Sequence, residues 1–241
     1  MKKKVLGIVG GMGPLCTVDF FYKVVKYTRA DADAEHIHVI MDSDPAIPDR
    51  TEAILGQDNG CAEAIRASVK KLVEAGAEVL AMPCNTAHVF FDRIADAAGN
   101  ARFIDMVEAT VDAVEKTGCK KVGLLATDGT VAGGIYQKKL ASRGIDTILP
   151  SRWGQREVMG VIYDGIKAGK TYDTARLREE LDAMCALGAE LFILGCTELP
   201  LAFDQYALDY PRIDTTEVLA DAAIVACGYE VDRKTAIEMN L

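Results

Sequence analysis

Short runs of apolar residues alternate along the chain with longer stretches in which apolar positions recur at helical spacing. This alternation is typical of parallel strands joined by helices. The predicted strands are 4–9, 37–41, 78–82, 102–104, 121–126, 145–149, 190–194 and 211–213. The predicted helices lie near 15–29, 60–75, 87–98, 106–117, 131–142, 155–168, 173–187 and 215–227. The pattern therefore predicts an α/β fold with mostly parallel sheets.

The chain also contains an internal repeat. "GAEVLAMPCNT" at 76–86 aligns with "GAELFILGCTE" at 188–198, and "FIDMVEATV" at 103–111 resembles "RIDTTEVLA" at 212–220. A weaker match joins "KVLGIVGGMG" at 4–13 to "KVGLLATDGT" at 121–130. Three matches in the same order predict two pseudosymmetric lobes, each a mostly parallel sheet flanked by helices, with the active site in the cleft between them. We expect lobe one at 1–104, lobe two at 105–214, and a C-terminal helix, 215–241, that packs back on lobe one.

Composition excludes several classes of function. The formal net charge is −9 and the sequence has no long basic run, which argues against binding nucleic acid or an anionic membrane surface. No apolar run approaches the roughly 20 residues that a membrane-spanning helix needs. The start, "MKKKVLGIVGGMGPLC", imitates a signal peptide, but its apolar part is short and broken by glycines, so we interpret it as a first strand and its loop. The expected location is cytoplasmic.

Seven cysteines, an odd number, favour free thiols over a disulfide framework. No CxxC occurs and only three histidines are present, so the sequence predicts no metal site. His36 and His38 alternate at the start of the predicted strand 37–41 and are interpreted as a strand edge. Most of the cysteines fit core or surface positions. Cys84 and Cys196 differ, because each follows a predicted strand and precedes polar residues.

The positions of Cys84 and Cys196 predict one shared cleft. Ligands of open parallel sheets bind beyond the carboxyl ends of the strands, where both cysteines lie. Asn85 and Thr86 follow the first, and Thr197 and Glu198 follow the second; these groups can hydrogen-bond a substrate or the backbone. A following helix N-terminus would lower the pKa of each thiol. Two thiols on opposite sides of a carbon can remove a proton and return one, which is racemisation chemistry. A redox disulfide between them is the main alternative.

The glycine loop "GIVGGMGP" at 7–14 lies between a predicted strand and a predicted helix. Its spacing is neither that of a dinucleotide loop nor that of a P-loop, which argues against a nucleotide. We expect its backbone N–H groups, around Met12 and Gly13, to approach a small anion such as a carboxylate. The alternative is a tight turn that binds no ligand.

Charged and hydroxyl side chains outside the cysteine motifs complete the candidate site. Arg50 follows two prolines in a loop that leads into a helix, and arginine suits bidentate capture of a carboxylate. Lys167 ends a predicted helix beside glycines, where it could meet a second carboxylate. The alternative for both is a solvated side chain. Thr127 and Thr130 follow a predicted strand of lobe two, and their alternative role is to cap a turn.

Together these motifs resemble the aspartate/glutamate racemase superfamily, most closely its aspartate racemase branch. The resemblance rests on "GIVGGMGP", "IPDRT" at 47–51, "MPCNTAH" at 82–88, "LLATDGT" at 124–130 and "GCTE" at 195–198, and it spans about residues 4 to 225. It implies an amino-acid racemase that uses no cofactor, is built from two pseudosymmetric domains and is commonly a homodimer.

The resemblance also implies roles for individual residues. Cys84 and Cys196 would be the catalytic acid/base pair. Asn85, Thr86, Thr127 and Thr197 would bind the α-carboxylate or amino group of the substrate, with Arg50 and Lys167 near its acidic side chain. Aspartate is the expected substrate and glutamate the next. A related isomerase or decarboxylase, and a protein that binds an amino acid without turning it over, stay open as alternatives.

Overall fold

Two parallel sheets of four strands each organise the part of the chain that the computed structural model describes, residues 2–56 and 58–233. The order is β2-β1-β3-β4 in the first sheet and β6-β5-β7-β8 in the second, so the two sheets have the same topology. Neighbouring strands are parallel throughout, with Leu6 beside both Val39 and Val79. The strands are β1 Leu6–Gly10, β2 Val39–Ser43, β3 Val79–Ala81, β4 Arg102–Phe103, β5 Lys121–Ala126, β6 Asp146–Ile148, β7 Leu191–Gly195 and β8 Arg212–Asp214. The predicted α/β fold with two parallel-sheet lobes is confirmed.

Helices connect the strands and cover the sheets. The α-helices are α1 Pro14–Tyr27, α2 Arg50–Leu55, α3 Cys61–Glu74, α4 Phe91–Ile94, α5 Met106–Thr117, α6 Asp128–Gly133, α7 Ile135–Ser142, α8 Arg152–Gly160, α9 Ala175–Ala186, α10 Glu198–Gln205 and α11 Thr215–Ala226. Short 3-10 helices span Asp33–Glu35, Thr86–Phe90 and Ala95–Ala98, and a π-helix, Val161–Lys167, continues α8. Within the described ranges no helix is long and apolar enough to cross a membrane.

Three predicted helices differ from those observed. The stretch 87–98 is a succession of short 3-10 and α segments, and 131–142 is interrupted at Gly134, whose φ of 65° breaks the α-helical path. The stretch 155–168 changes to a π-helix at Val161. The predicted helices do not include α2 and α10; in α10, Pro200 lies in the first turn, where a helix does not need its N–H.

Each sheet is covered by the helix that follows the other sheet. Helix α11, which comes after β8, packs through Leu219 and Ala223 on Leu6 and Ile8 of the first sheet. Helix α5, which comes after β4, packs on Val122 and its neighbours in the second sheet. Helix α11 ends at Ala226, short of the predicted span 215–241, of which 234–241 lie outside the described residues. The lobe boundaries at 104 and 214 stay a prediction.

A lysine from a helix beside each sheet pairs with an aspartate at or just after the last strand of the other sheet. Lys23 of α1 donates to Asp214 at the end of β8 at 2.7 Å. Lys139 of α7 donates to Asp105, two residues after β4, at 3.0 Å. Both aspartates also cap the helix that follows them, so each ion pair anchors one of the exchanged helices, α5 and α11. The two aspartates occupy equivalent positions in the matched segments "FIDMVEATV" and "RIDTTEVLA", so the two ion pairs are related by the predicted pseudosymmetry.

Candidate active site

Cys84 and Cys196 line the same narrow cavity, and they reach it from different sheets. Cys84 lies three residues after β3, in a turn closed by its own N–H donating to the Met82 carbonyl at 2.8 Å. Cys196 follows β7 directly, and both side chains are 5% exposed. The cavity is almost closed, with a free volume of about 10 Å³. Its other lining residues are Met12, Arg50, Thr51, Asn85, Thr86, Thr127, Tyr163, Lys167, Thr197 and Glu198.

The Cys196 thiol donates a hydrogen bond to Glu198. The Sγ atom lies 2.9 Å from Oε2 of this carboxylate, which also accepts from the Thr197 hydroxyl at 3.2 Å. Lys167 forms an ion pair with the other oxygen, Oε1. Glu198 is the first residue of α10 and is buried. The carboxylate is therefore held between a thiol, a hydroxyl and an ammonium group.

The expectation of a lowered thiol pKa is wrong for Cys196. Burial raises its pKa well above the ordinary value, the negative charge of Glu198 raises it further, and Lys167 opposes both effects. The short helix α10 begins only at Glu198, and its first side chain brings a negative charge to the thiol. Burial also opposes the charge of Lys167, but Glu198, Cys196 and Cys84 outweigh it and raise the pKa of this lysine.

Arg50 lies on the Cys84 side of the cavity. It is the first residue of α2, and its guanidinium donates to the carbonyls of Ile47 and Pro48 at 3.2 Å and of Met12 at 3.4 Å. These bonds fix the side chain, while its buried Nε–H has no partner among the described residues. Burial disfavours its charge, but negative groups nearby, with Cys84 first among them, raise the pKa of Arg50. A donor is thus left free beside the Cys84 thiol.

Three threonine hydroxyls join the two lobes at the cavity wall. Thr86 Oγ1 lies 2.8 Å from Thr127 Oγ1, and Thr130 Oγ1 lies 3.0 Å from Thr127 and 3.1 Å from Thr86. Thr127 caps α6 by accepting from the Thr130 N–H at 3.2 Å. Thr86 and Thr127 line the cavity, whereas Thr130 stands behind them and is fully buried.

Asn85 is held by Tyr136 of lobe two and by Thr215 at the start of α11. Its Nδ2 donates to the Thr215 hydroxyl at 3.0 Å, and its Oδ1 accepts from the Tyr136 hydroxyl. One Nδ2 hydrogen is left for another acceptor. These bonds lock the loop that follows Cys84 to the start of α11, so this residue both lines the cavity and joins the lobes.

The glycine loop supports the cavity from the side of β1. The Gly11 N–H donates to the Thr17 hydroxyl at 2.9 Å, and the Thr17 hydroxyl donates to the Gly13 carbonyl at 2.8 Å. The Gly11 N–H therefore already has a hydrogen-bond partner inside the loop. Met12 lines the cavity. A Cβ on Gly13 would lie 3.7 Å from Lys167 Nζ, which places the loop directly above the Lys167–Glu198 pair.

Three residues at or near the site were missed by sequence reasoning. The Tyr163 hydroxyl donates to Thr51 at 3.2 Å, and both residues line the cavity. Tyr163 precedes Lys167 by four positions, and this helical spacing could have placed it on the same face. Cys16 was interpreted as core or surface; it is buried beside Thr197 and Glu198. Its position depends on the path of the glycine loop, which no local pattern reveals.

The arrangement brings two thiols and two cations together around one small space. Two thiols contributed by separate sheets can address different sides of a bound carbon, and thiols exchange protons as acids and bases. Arg50 and Lys167 can neutralise carboxylates, and threonine hydroxyls can accept from an amino group. Among the described residues no cluster of His, Cys, Asp and Glu could hold a metal ion.

Comparison with known proteins is consistent with this chemistry. The chain is 30% identical over 223 residues to the broad specificity amino-acid racemase RacX of Bacillus subtilis (strain 168), covering 91% of this chain and 96% of that protein. An aspartate racemase of Picrophilus torridus superposes with a TM-score of 0.82 at 34% identity, covering 96% of this chain and 97% of that one.

A glutamate racemase of Francisella tularensis, solved with D-glutamate, shares the fold, with a TM-score of 0.69 at 19% identity over 93% of this chain and 81% of that one. The family model described as Asp/Glu/Hydantoin racemase matches residues 9–223. These similarities extend over both lobes and include both candidate cysteines. The chain belongs to the Asp/Glu/hydantoin racemase family.

Proposed function

We propose that the chain racemises an acidic amino acid without a cofactor, with aspartate as its first substrate and glutamate as the next. The observation that carries this proposal is the meeting of Cys84 and Cys196, from two lobes, in one cavity that also contains Arg50 and Lys167. Two cations suit a substrate with two carboxylates. The similarity to the aspartate racemase of Picrophilus torridus supports the same substrate class.

The reaction needs one thiolate and one thiol. The thiolate takes the Cα proton, the C–H electron pair stays on the substrate as a planar carbanion, and the opposite thiol gives its proton to the other face. Arg50, through its free Nε–H, and the hydroxyls of Thr86 and Thr127 stabilise the charge that develops on the α-carboxylate. Lys167 holds the distal carboxylate with the N–H donors that Glu198 leaves free. Asn85 and Thr197 bind the amino and carboxylate groups.

Single substitutions of the cysteines test the two-thiol mechanism. We expect Cys84→Ala and Cys196→Ala each to lower the interconversion of D- and L-aspartate at least about 10³-fold, because each removes the proton donor or acceptor on one side. Chiral chromatography of both enantiomers of aspartate, glutamate and a panel of neutral amino acids measures this loss and the substrate range. Cys185→Ala, which changes an exposed thiol, is the matched control.

Exchange of the Cα proton in deuterium oxide separates the alternatives. A racemase incorporates deuterium into aspartate, whereas a protein that only binds an amino acid leaves the Cα proton in place. Racemisation that persists in both alanine variants would contradict the two-thiol mechanism. A mass shift of two hydrogens, with loss of activity under mild oxidant, would support a Cys84–Cys196 disulfide instead.

The assembly and location belong to the same proposal. We expect a homodimer, because the resemblance to aspartate racemases implies one and because α1 exposes Leu15, Val18 and Phe21 on one side. Sedimentation velocity measures the mass directly. All seven cysteines are unpaired, which agrees with the reducing environment of the cytoplasm.

A further inference from the structure

The two candidate catalytic thiols have different partners. Cys196 donates to the Glu198 carboxylate at 2.9 Å, and this carboxylate is 2% exposed, so water does not screen its charge. No described residue offers Cys84 a carboxylate partner of this kind. A carboxylate that accepts the S–H hydrogen stabilises the thiol over the thiolate, since a thiolate at the same distance would face a like charge.

Cys84 has cations in its surroundings instead. Arg50 lines the same side of the cavity with a buried Nε–H that has no described partner. The charge of Lys167 reaches Cys84 as well as Cys196, but its ammonium group is paired with Glu198. A thiolate at Cys84 would therefore have the Arg50 guanidinium as a counter-charge, and a thiolate at Cys196 would share its cation with a carboxylate.

We propose that Glu198 is a positioning residue that keeps the hydrogen on Cys196, so that Cys196 is the proton donor of the pair and Cys84 the thiol that gives up its proton first. This inference rests on the proposed function only where it gives the two thiols roles in racemisation, because their protonation states exist without substrate. It gives Glu198 a role other than the substrate contact expected from the sequence.

The groups that face each thiol favour this assignment. Burial raises the pKa of Cys196 and Glu198 raises it further, while Lys167 acts in the opposite direction and does not reverse the shift. The titratable groups around Cys196 are Glu198, Lys167, Cys16, Tyr136 and Tyr163. Those around Cys84 are Arg50, Cys61, Lys167 and His88, whose Nδ1 lies 2.8 Å from the Cys84 carbonyl, and Asp49 acts on Arg50 and Cys61. Among the described residues, Glu198 is the carboxylate that accepts a hydrogen bond from one of the two thiols, and that thiol is Cys196.

The assignment has a consequence for turnover. In one direction the Cys84 thiolate takes the Cα proton and Cys196 gives its proton to the opposite face, which leaves a Cys84 thiol and a Cys196 thiolate. That thiolate then lies beside Glu198 and takes up a proton again, while Cys84 gives one up. Of the two forms of the free protein that carry one thiolate, the form that deprotonates one enantiomer therefore outweighs the form that deprotonates the other.

Alkylation by iodoacetamide in the absence of substrate tests the proposal. Peptide mass spectrometry gives the rate at each cysteine from pH 6 to 10, and the midpoint of each curve reports the thiol pKa independently of how easily the reagent enters. We expect the midpoint of Cys84 to lie at least about one pH unit below that of Cys196. In Glu198→Gln the midpoint of Cys196 should fall by at least about one unit, a rate increase of about ten-fold at neutral pH.

Glu108→Gln is the matched control, since Glu108 also pairs with a lysine, Lys139, but stands away from the cavity. It should leave both midpoints unchanged. A Cys196 midpoint at or below that of Cys84 in the unmodified protein contradicts the proposal, and this comparison does not require any variant to fold. An unchanged Cys196 midpoint in folded Glu198→Gln contradicts it as well. Glu198→Asp, which restores a carboxylate, should return the midpoint toward that of the unmodified protein.

The alkylation result is separate from racemase activity. Different midpoints in a protein that does not racemise aspartate would uphold the thiol assignment and contradict the proposed substrate. Equal midpoints in an active racemase of aspartate would contradict the thiol assignment and uphold the proposed substrate.

Discussion

His88 supports the Cys84 turn as a neutral side chain. The Met106 N–H donates to His88 Nε2 at 3.1 Å, so the ring hydrogen is on Nδ1, which lies 2.8 Å from the Cys84 carbonyl and donates to it. A protonated ring could not accept from Met106. Burial lowers the pKa of His88, with weaker opposition from the Cys84 carbonyl and Asp105. The histidine thus acts on the backbone of the turn and not on the thiol.

The buried neutral histidine makes stability depend on pH. In the unfolded chain the imidazole has a pKa of about 6.5, and the folded value is lower. The stabilisation that the neutral imidazole gives the folded state is therefore complete above about pH 6.5. It is lost as the pH falls further, by up to about 1.4 kcal/mol of unfolding free energy per pH unit. Urea unfolding at pH 5 and pH 7.5 should show a smaller loss on acidification in His88→Gln than in the unmodified protein. His38→Gln, at an exposed strand edge, should keep the original pH dependence.

At the scale of single residues the sequence predicted most of the cavity wall. Cys84 and Cys196 were identified because the repeat places them at equivalent strand ends. Tyr163 and Thr51 were not, although Tyr163 precedes Lys167 by four positions and Thr51 directly follows Arg50, because neither carries a charge that singles it out in the sequence. The bond from Cys196 to Glu198 was also unpredictable, because two neighbours in sequence can point in either direction at a helix start.

At the scale of elements, the glycine loop between β1 and α1 depends on two close approaches of backbone. Gly11 has a φ of 90°, and a Cβ there would lie 2.3 Å from the Asp44 carbonyl carbon. A Cβ on Gly10 would lie 2.3 Å from Thr17 Cγ2. The loop thus brings Met12 to the cavity along a path so close to Asp44 and Thr17 that a Cβ at Gly10 or Gly11 would clash.

Alanine substitutions at two glycines separate this close approach from backbone strain. Gly60 has a φ of 79°, and no described atom lies within 4 Å of the point that a Cβ would occupy, so Gly60→Ala should lower the free energy of unfolding by only about 1 kcal/mol. Gly11→Ala adds a clash with rigid backbone and should cost at least about 3 kcal/mol. Urea denaturation measures both. Equal losses in the two variants would contradict the close approach.

Elements with strong patterns were predicted well, and those with weak patterns were not. Every predicted strand is present within two residues of its expected ends. The central strands β1, β3, β5 and β7 are buried apolar runs, as parallel strands covered on both faces should be, whereas the outer strands β2, β4, β6 and β8 are only partly buried. Helix α5 is observed at 106–117 as expected, because it has a clear apolar face and an Asp105 cap. Helix α2 has only six residues, and the change from α8 to a π-helix at Val161 leaves no mark in the hydrophobic period.

At the scale of the whole molecule, the exchanged helices connect the lobes across the cavity. Helix α11 begins at Thr215, whose hydroxyl accepts from Asn85 beside Cys84. The same hydroxyl donates to the Leu194 carbonyl of β7 at 3.0 Å, two residues before Cys196. A single side chain thus links the backbone of one cysteine segment to the loop of the other, and the spacing of the two thiols depends on the lobes staying together.

The lysines of the two inter-lobe pairs give a matched test of that connection. Lys23 is the more buried, with 10% of its side chain exposed, and it donates at 2.7 Å to Asp19, Asp214 and Thr216. Lys23→Met leaves two partly buried carboxylates without their cation, so the free energy of unfolding should fall by about 3 kcal/mol. Lys139 is 35% exposed, and water screens its pairs, so Lys139→Met should cost no more than about 1 kcal/mol.

The loss in Lys23→Met should also change with pH. Burial already raises the pKa of Asp19, against the opposing charge of Lys23, and removing the lysine raises it further. A carboxyl with a higher pKa when folded than when unfolded favours the folded state as the pH falls, so the deficit at pH 8 should shrink toward pH 5. Urea unfolding across this range, with Lys139→Met in parallel, measures the effect. A deficit independent of pH would show that lost packing, not the unpaired carboxylates, weakens the contact between the lobes.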